Sequence, residues 1–298
     1  MDVSIIIVNY NTLNLTKDTI DSVLEKTKGI SYEIILVDNA SKDGSIKFFE
    51  KNYKDKIIFI KNKENLGFGR ANNKGIEIAK GKYIFLLNSD TLLINNAIKI
   101  LFDFMEENKK CGICGGNLYS INFEPMHSFK NKLPDIQSEF HEYINIFEKV
   151  KEKVLKKEND FNFSLLPKEV GYITGADMLI RKEILNEIKG FDEDFFMYSE
   201  EAELTYRVKN KGYKVYSVPD AKIIHLEGKS TKIKVKKIEM QLDGKYKYYQ
   251  KTYGKEACKK LYIISQIGFF IRAILTLKFD YLKIIKINRK KYLTLKNS

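Results

Sequence analysis

Asn88-Ser89-Asp90 closes an apolar run that starts at Tyr83 behind Gly81, and its residue types suggest chemistry. A carboxylate beside small polar groups can hold a hard divalent cation through oxygen and leave positions for a phosphate ligand. The same triplet after a strand is more often a helix cap, because Asn, Ser and Asp all accept from free backbone N–H groups. Glu200-Glu201-Ala202-Glu203 places three acids ahead of Leu204 and Val208. Such acids either take a proton from a reacting group or compensate a helix dipole. His225 follows Ile223 and Ile224 at a strand edge, as a metal ligand or a structural histidine. Asp38, with Asn39 behind it, ends another apolar run; it can accept from ribose hydroxyls or a base imide, or cap a helix over 44–51. Arg70 lies in Asn65-Leu66-Gly67-Phe68-Gly69-Arg70, where two glycines allow close backbone approach and the guanidinium offers a fork for phosphate.

These groups need a scaffold that gathers them. Val3 to Val8 is a β-branched run that reads as a buried strand, and Ile20, Val23 and Leu24 mark one face of a helix over 15–26. A second strand at 33–37, a third at 57–60, a fourth at 83–88 and another at 111–118 follow, separated by helical patterns. This βαβ alternation predicts an α/β fold, a Rossmann-like and mainly parallel sheet whose polar strand ends share one edge. After the first strand come Asn9-Tyr10-Asn11-Thr12, with no Gly-x-Gly-x-x-Gly. The pyrophosphate fingerprint of a dinucleotide-dependent oxidoreductase is therefore missing.

Apolar residues make up 44% of the 298, with four prolines, enough for a sizeable core. The net charge of +13 is uneven. Residues 229–298 hold 19 Lys and Arg against 4 acids, a net of +15, whereas the first 228 hold 33 against 35, a net of −2. Three cysteines and no apolar leader pattern point to a reducing, cytoplasmic setting. Cys111-Gly-Ile-Cys114 has half-zinc-site spacing without a second pair, so it reads as part of a buried strand.

Several stretches together resemble family 2 glycosyltransferases, most closely the rhamnosyltransferase-like bacterial branch. They are Ser4–Asn11, Glu33–Ser41, Asn65–Phe68 with Ala71-Asn-Asn73, Leu86–Asp90, Thr174–Arg181, Gly190–Tyr198, the acids Glu200–Glu203, and His225-x-x-Gly228-x-Ser230. The resemblance spans about residues 3–231 and implies a GT-A fold. It implies an inverting transfer of a sugar from a nucleotide diphosphate donor, dTDP- or UDP-linked, to a glycan or lipid-linked acceptor in surface polysaccharide synthesis. Asn9, Asn11, Asp38, Asn39, Asn65, Gly67, Arg70, Asn88 and Ser89 would then serve the nucleotide. Asn88–Asp90 matches the family's Asp-x-Asp motif with Asn at its first position, and His225 matches a second metal position, so Mg²⁺ or Mn²⁺ would be held by Asp90 and His225. Glu201 matches the general base, commonly Asp in the family, with Glu200 as its alternative. Gly175, Ala176 and Asp177 would approach the donor sugar or acceptor. Asp177, a carboxylate in an apolar run, either touches sugar hydroxyls or satisfies the loop above it. A protein that kept the fold and lost turnover is the other functional class open to this sequence.

The expected organisation is a catalytic domain over 1–231, with a variable acceptor-side insertion at 119–166, and a basic helical tail over 232–298. Ile144, Phe147, Val150 and Val154 predict a surface helix in the insertion. In the tail, Arg272, Thr276, Asp280, Lys283, Lys286 and Lys290 predict one polar stripe along a single helix. That helix would lie on an anionic membrane at the inner face of the plasma membrane through residues 255–298, or pack on protein. Nucleic acid is not expected as a partner, because no recognised binding module accompanies the charge.

Overall fold

The structure is a computed structural model that describes residues 1–144, 160–226, 234–277 and 280–296. Two compact units divide the chain. The first comprises Met1–Lys132, Asn159–Glu193 and Leu204–Ser230, the second Leu133–Glu158, Asp194–Glu203 and Thr231–Ser298. The tail from 232 is thus grouped with two earlier segments.

In the first unit, strands β1 (Val3–Asn9), β2 (Tyr32–Asp38), β3 (Ile58–Lys61) and β4 (Tyr83–Asn88) alternate with α1 (Leu13–Lys26), α2 (Ser45–Asn52) and α3 (Phe68–Ile78). Then come β5 (Thr91–Leu93), α4 (Ala97–Glu107) and β6 (Cys111–Tyr119). Short β7 (Phe129–Lys130), β8 (Lys168–Glu169) and β9 (Tyr172–Ile173) lead to β10 (Asp177–Arg181), with α5 (Ile136–Tyr143) of the second unit between β7 and β8. Helices α6 (Lys182–Ile188) and α7 (Glu200–Asn210) precede β11 (Lys214–His225). The main sheet runs β3-β2-β1-β4-β10-β6-β11-β5, with β8 also paired to β11. β1 pairs in parallel with β2 and β4, as the alternation predicts.

The two faces follow the strand period of two. Val3, Ile5 and Ile7 face one apolar cluster with Ile20 and Val23 of α1 and Leu101 and Met105 of α4. Ile6, Ile35 and Val37 face the other, with Ala71 of α3, Ile184 of α6 and Val208 of α7. Burying each such side chain contributes about 1.5–3 kcal/mol. The alternation does not foretell β10, which enters antiparallel between β4 and β6, with Asp177 opposite Leu87 and Leu179 opposite Cys114. Buried Arg181 anchors its far end by donating to the carbonyls of Cys111 and Met105 at 2.7 Å. Cys111 and Cys114 are buried free thiols in β6.

The second unit contains α5, α8 (Lys234–Tyr253), α9 (Lys255–Thr276) and α10 (Asp280–Lys296). Asp135 caps α5 in a reciprocal capping box with Ser138. A buried polar chain joins three helices: Tyr246 donates to Asn288 Oδ1 at 2.7 Å, and Asn288 Nδ2 donates to Ser265 Oγ at 2.9 Å. Tyr262 and Tyr292 stack at 4.4 Å. One expectation is corrected here. The polar stripe from Arg272 to Lys290 does not run along one helix, because Leu277 takes a left-handed φ of 52° and ends α9. A left-handed residue there terminates the helix, so α9 and α10 are separate elements. The predicted helix through Phe147, Val150 and Val154 lies outside the described residues, as do Gly228 and Ser230.

Candidate functional site

β4 and β11 bring the first group of candidates together. After Asn88 the chain makes a tight turn, fastened by Thr91 Oγ1 donating to the Asn88 carbonyl at 2.8 Å, and continues as β5 rather than a helix. The capping role open to Asn88-Ser89-Asp90 is thereby removed. β5 pairs antiparallel with β11, setting Thr91 opposite His225, and Leu226 N donates to the Asp90 carbonyl at 2.9 Å. This register carries Asp90 to its partner: Oδ1 lies 3.2 Å from His225 Nε2. Asn88 Nδ2 approaches the same ring nitrogen at 3.5 Å. The Asp90 side chain is 20% exposed and that of His225 10%, so the pair is sheltered yet reachable. Among the described residues no group of three or more His, Cys, Asp or Glu is arranged to hold a metal ion. One carboxylate oxygen and one imidazole nitrogen are donor types that could hold a divalent cation whose other ligands would come from a diphosphate.

The ends of β1 and β2 form a second group. Asp38 is fully buried; Oδ2 accepts from Asn9 Nδ2 at 2.6 Å and Oδ1 from Ser41 N at 2.8 Å. Its capping alternative falls as well, since Asp43 accepts from Ser45 N at the start of α2. Asn9 has no exposed surface. Its Oδ1 accepts from Thr12 Oγ1 and Thr16 Oγ1, both at 2.8 Å. Its amide is therefore committed to holding Asp38 and the start of α1. Asn11, with a left-handed φ of 56°, accepts from Lys42 N at 2.7 Å and tethers the two strand-end turns. Ser41 joins them too, accepting from Asn11 N at 3.0 Å. Residue types alone gave Ser41 no such role. Ser89 Oγ is 3.1 Å from Thr12 Oγ1, which links the two groups of strand ends.

Asn39 is a staple. Its Nδ2 donates to Asn65 Oδ1 and the Gly67 carbonyl, each at 3.0 Å, and its Oδ1 accepts from Leu66 N at 3.1 Å. Gly67 has φ of 82° just ahead of α3, a conformation that costs a side chain heavily. Arg70 Nε donates to the Glu193 carbonyl at 2.7 Å, which fastens one edge of its fork to the following loop.

The Ala176 carbonyl accepts from Asn88 N at 3.0 Å, so the 175–177 turn is stitched to the end of β4. The Gly175 Cα faces the Phe68 ring, where an added Cβ would lie 3.4 Å from it. Asp177 is completely buried. Oδ2 accepts from Gly116 N at 2.6 Å, while Oδ1 has no hydrogen-bond partner. Burial pushes its carboxyl well above the usual range, against the lowering influence of Gly116. Its side chain serves the β10–β6 seam.

The acids belong to a different kind of structure, within the second unit. Tyr198 and Ser199 adopt successive left-handed conformations, φ 74° and 68°, although neither is Gly or Asn. Each costs roughly 1–3 kcal/mol and persists only where surroundings impose it. The surroundings are visible. The Cα of Gly244 in α8 packs so closely on the Tyr198 carbonyl that a Cβ could not be accommodated. Lys247 Nζ donates to the Asp194 carbonyl at 2.8 Å, and Lys251 pairs with the Asp194 carboxylate at 2.6 Å. Glu203 N then donates to the Ser199 carbonyl at 3.0 Å as α7 begins. Glu200 is 5% exposed, and its Oε2 is without a hydrogen-bond partner. Burial, then the charge of Glu201, pushes its carboxyl well up. Glu201 is the more accessible of the two. No glycine or asparagine in Phe195–Ser199 signalled the strained turn.

A mainly parallel sheet with helices on both faces, and with polar strand ends gathered as described, defines a GT-A type fold. Against solved structures, the chain superposes on GalNAc-T7, crystallised with UDP, GalNAc and Mn²⁺, with a TM-score of 0.60 at 18% identity over 86% of this chain and 50% of that one. The family model for glycosyl transferase family 2 matches residues 4–189, and the chain belongs to that family. An uncharacterised glycosyltransferase of Methanocaldococcus jannaschii is 33% identical over 52% of this chain and 57% of its own length. A poly(ribitol-phosphate) β-glucosyltransferase of Bacillus spizizenii is also 33% identical, over 46% of this chain and 22% of its own length. This chain therefore spans less than two thirds of the length of either relative.

Proposed function

We propose that this chain is an inverting glycosyltransferase. It moves a sugar, of which rhamnose is one candidate, from a dTDP- or UDP-linked donor to a hydroxyl of a glycan or lipid-linked acceptor in surface-polymer synthesis. The observation that carries the reading is the meeting of Asp90 and His225 at the carboxyl edge of the sheet in a family 2 chain. The Bacillus relative, named for glucosyl transfer to a poly(ribitol-phosphate), supports a surface polymer as the destination.

The residues divide the work. Asp38, fully buried and held by Asn9 and Ser41, fixes the strand-end turn that would border the nucleoside. Asn39 shapes the Asn65–Gly67 loop against the same nucleotide, and Arg70 presents the remainder of its guanidinium to phosphate. Asp90 Oδ1 and His225 Nε2 would hold Mg²⁺ or Mn²⁺, which when bound neutralises charge growing on the leaving diphosphate. Glu201 takes the proton of the acceptor hydroxyl as that oxygen bonds to the anomeric carbon. The C–O bond to phosphate breaks in the same step, and its electron pair leaves with the diphosphate. Glu200, whose carboxyl burial pushes well above its usual range, is less accessible to an acceptor hydroxyl than Glu201.

The test is release of nucleotide diphosphate from dTDP- and UDP-sugars with Mg²⁺ or Mn²⁺. Release that stops with chelator and is lost in Glu201→Gln is expected. Full release by the Glu201→Gln chain would remove that residue from the mechanism, and an absence of both turnover and metal-dependent nucleotide binding would overturn the whole reading.

A further inference from the structure

Within the second unit, Ile263, Ile267, Phe270 and Ile274 of α9 stand about half exposed or more. Their intervals of 4, 3 and 4 make one stripe of the helix. The inward side of the same helix is in use, burying Cys258, Leu261, Ser265 and Phe269. The exposed stripe is therefore left over after the helix has packed. It continues toward Leu277, which is 84% exposed. Exposed Lys259 and Lys260 stand at its other end.

α10 shows a complementary composition. Ile284 and Asn288 face inward, while Lys283, Lys286, Arg289 and Lys290 are exposed. Over 255–296 eleven Lys and Arg oppose two acids. A contiguous exposed apolar stripe marks an interaction surface. Protein–protein interface cores are depleted in lysine, so this mixture suits them poorly. An anionic bilayer satisfies both halves, taking apolar side chains at the acyl boundary and basic ones at the phosphates.

Length separates lying from crossing. At 1.5 Å per residue the stripe runs roughly 16 Å, about half of a ~30 Å hydrocarbon core. No helix among the described residues is long and apolar enough to cross a membrane. Arg272 Nη2 also donates to the Glu142 carbonyl at 2.7 Å, which ties α9 to α5.

We propose that α9 and α10 form a docking face for an anionic lipid bilayer, with the Ile263–Ile274 stripe at the acyl boundary and the basic side of α10 at lipid phosphates. The inference goes beyond sugar transfer and is tested without it. The purified full chain is sedimented with vesicles of phosphatidylcholine alone and of phosphatidylcholine mixed with phosphatidylglycerol. Binding to the mixed vesicles, weakened by salt, is expected. Both Ile267→Glu/Phe270→Glu and Lys286→Glu/Arg289→Glu/Lys290→Glu should reduce it by more than about tenfold, with circular dichroism unchanged. Phe270→Ser provides a milder apolar loss should the double variant fail to fold. Equal binding to both vesicle types, binding that survives both sets of substitutions, or no binding at all would overturn the proposal. So would light scattering that shows a dimer abolished by Phe270→Ser in a chain that ignores vesicles, because a second copy would then cover the stripe.

Discussion

The strand-end group and the acidic turn are built by opposite means. Asp90 and His225 meet because an antiparallel ladder fixes their register, with no left-handed residue at Asn88, Ser89, Asp90 or His225. Glu200 and Glu201 follow two consecutive left-handed residues that helix α8 holds in place. Regular pairing positions the first group at little local cost. The second group depends on packing applied from a distant stretch of sequence. Substitutions in that packing should reach the acids without touching them.

Four measurements would break or sharpen this contrast. Glu201→Gln should lower turnover by roughly 10³-fold, with nucleotide affinity retained, read as diphosphate release against calorimetric binding. Asp90→Asn should lower turnover by roughly 10²-fold and, unlike the first variant, weaken Mn²⁺-dependent nucleotide binding. If both variants altered metal dependence equally, the two regions would not be separable. Gly244→Ala tests the packing. Helix propensity alone favours alanine by about 1 kcal/mol, but collision with the Tyr198 carbonyl should reverse the sign to a net loss of about 1–2 kcal/mol. Thermal unfolding gives the sign, and a stabilised variant would show that α8 does not restrain the turn. The last measurement concerns Asp177. Its folded-state pKa lies above the free value of 3.8, so its contribution to stability is complete below that value and lost as pH rises toward the raised one. Wild type should lose stability relative to Asp177→Asn by up to about 1.4 kcal/mol per pH unit over that window. Denaturant melts across acid to neutral pH would measure it; parallel curves would mean that the carboxyl ionises freely in place.

Much of this architecture is legible in the residues. β-branched runs at Val3–Val8 and Glu33–Val37 can only be buried strands, and their polar followers had to share an edge. What sequence hides is non-local or unsignalled. β10 has the apolar look of any buried strand, and nothing in Asp177–Arg181 reveals that it runs antiparallel. Asn9 has the residue type of a ligand contact, yet five hydrogen bonds inside the protein consume its amide. Tyr198, Ser199 and Leu277 adopt left-handed conformations that their side chains disfavour, so tertiary forces rather than local preference set them. The break at Leu277 turned an expected single amphipathic rod into a packed pair with one surface to spare.

The placement of β10 also bears on how the chain matures. Its pairing with β4 joins residues almost a hundred positions apart, and the contact between Asp90 and His225 spans more than that. A nascent chain can assemble β1 to β4 early, but one flank of β4 then stays bare until residue 181 has been made. During that interval the bare flank is a template for wrong partners. The contact between Asp90 and His225 is among the last to close, so an incomplete chain would carry the turns after β1 and β2 without it.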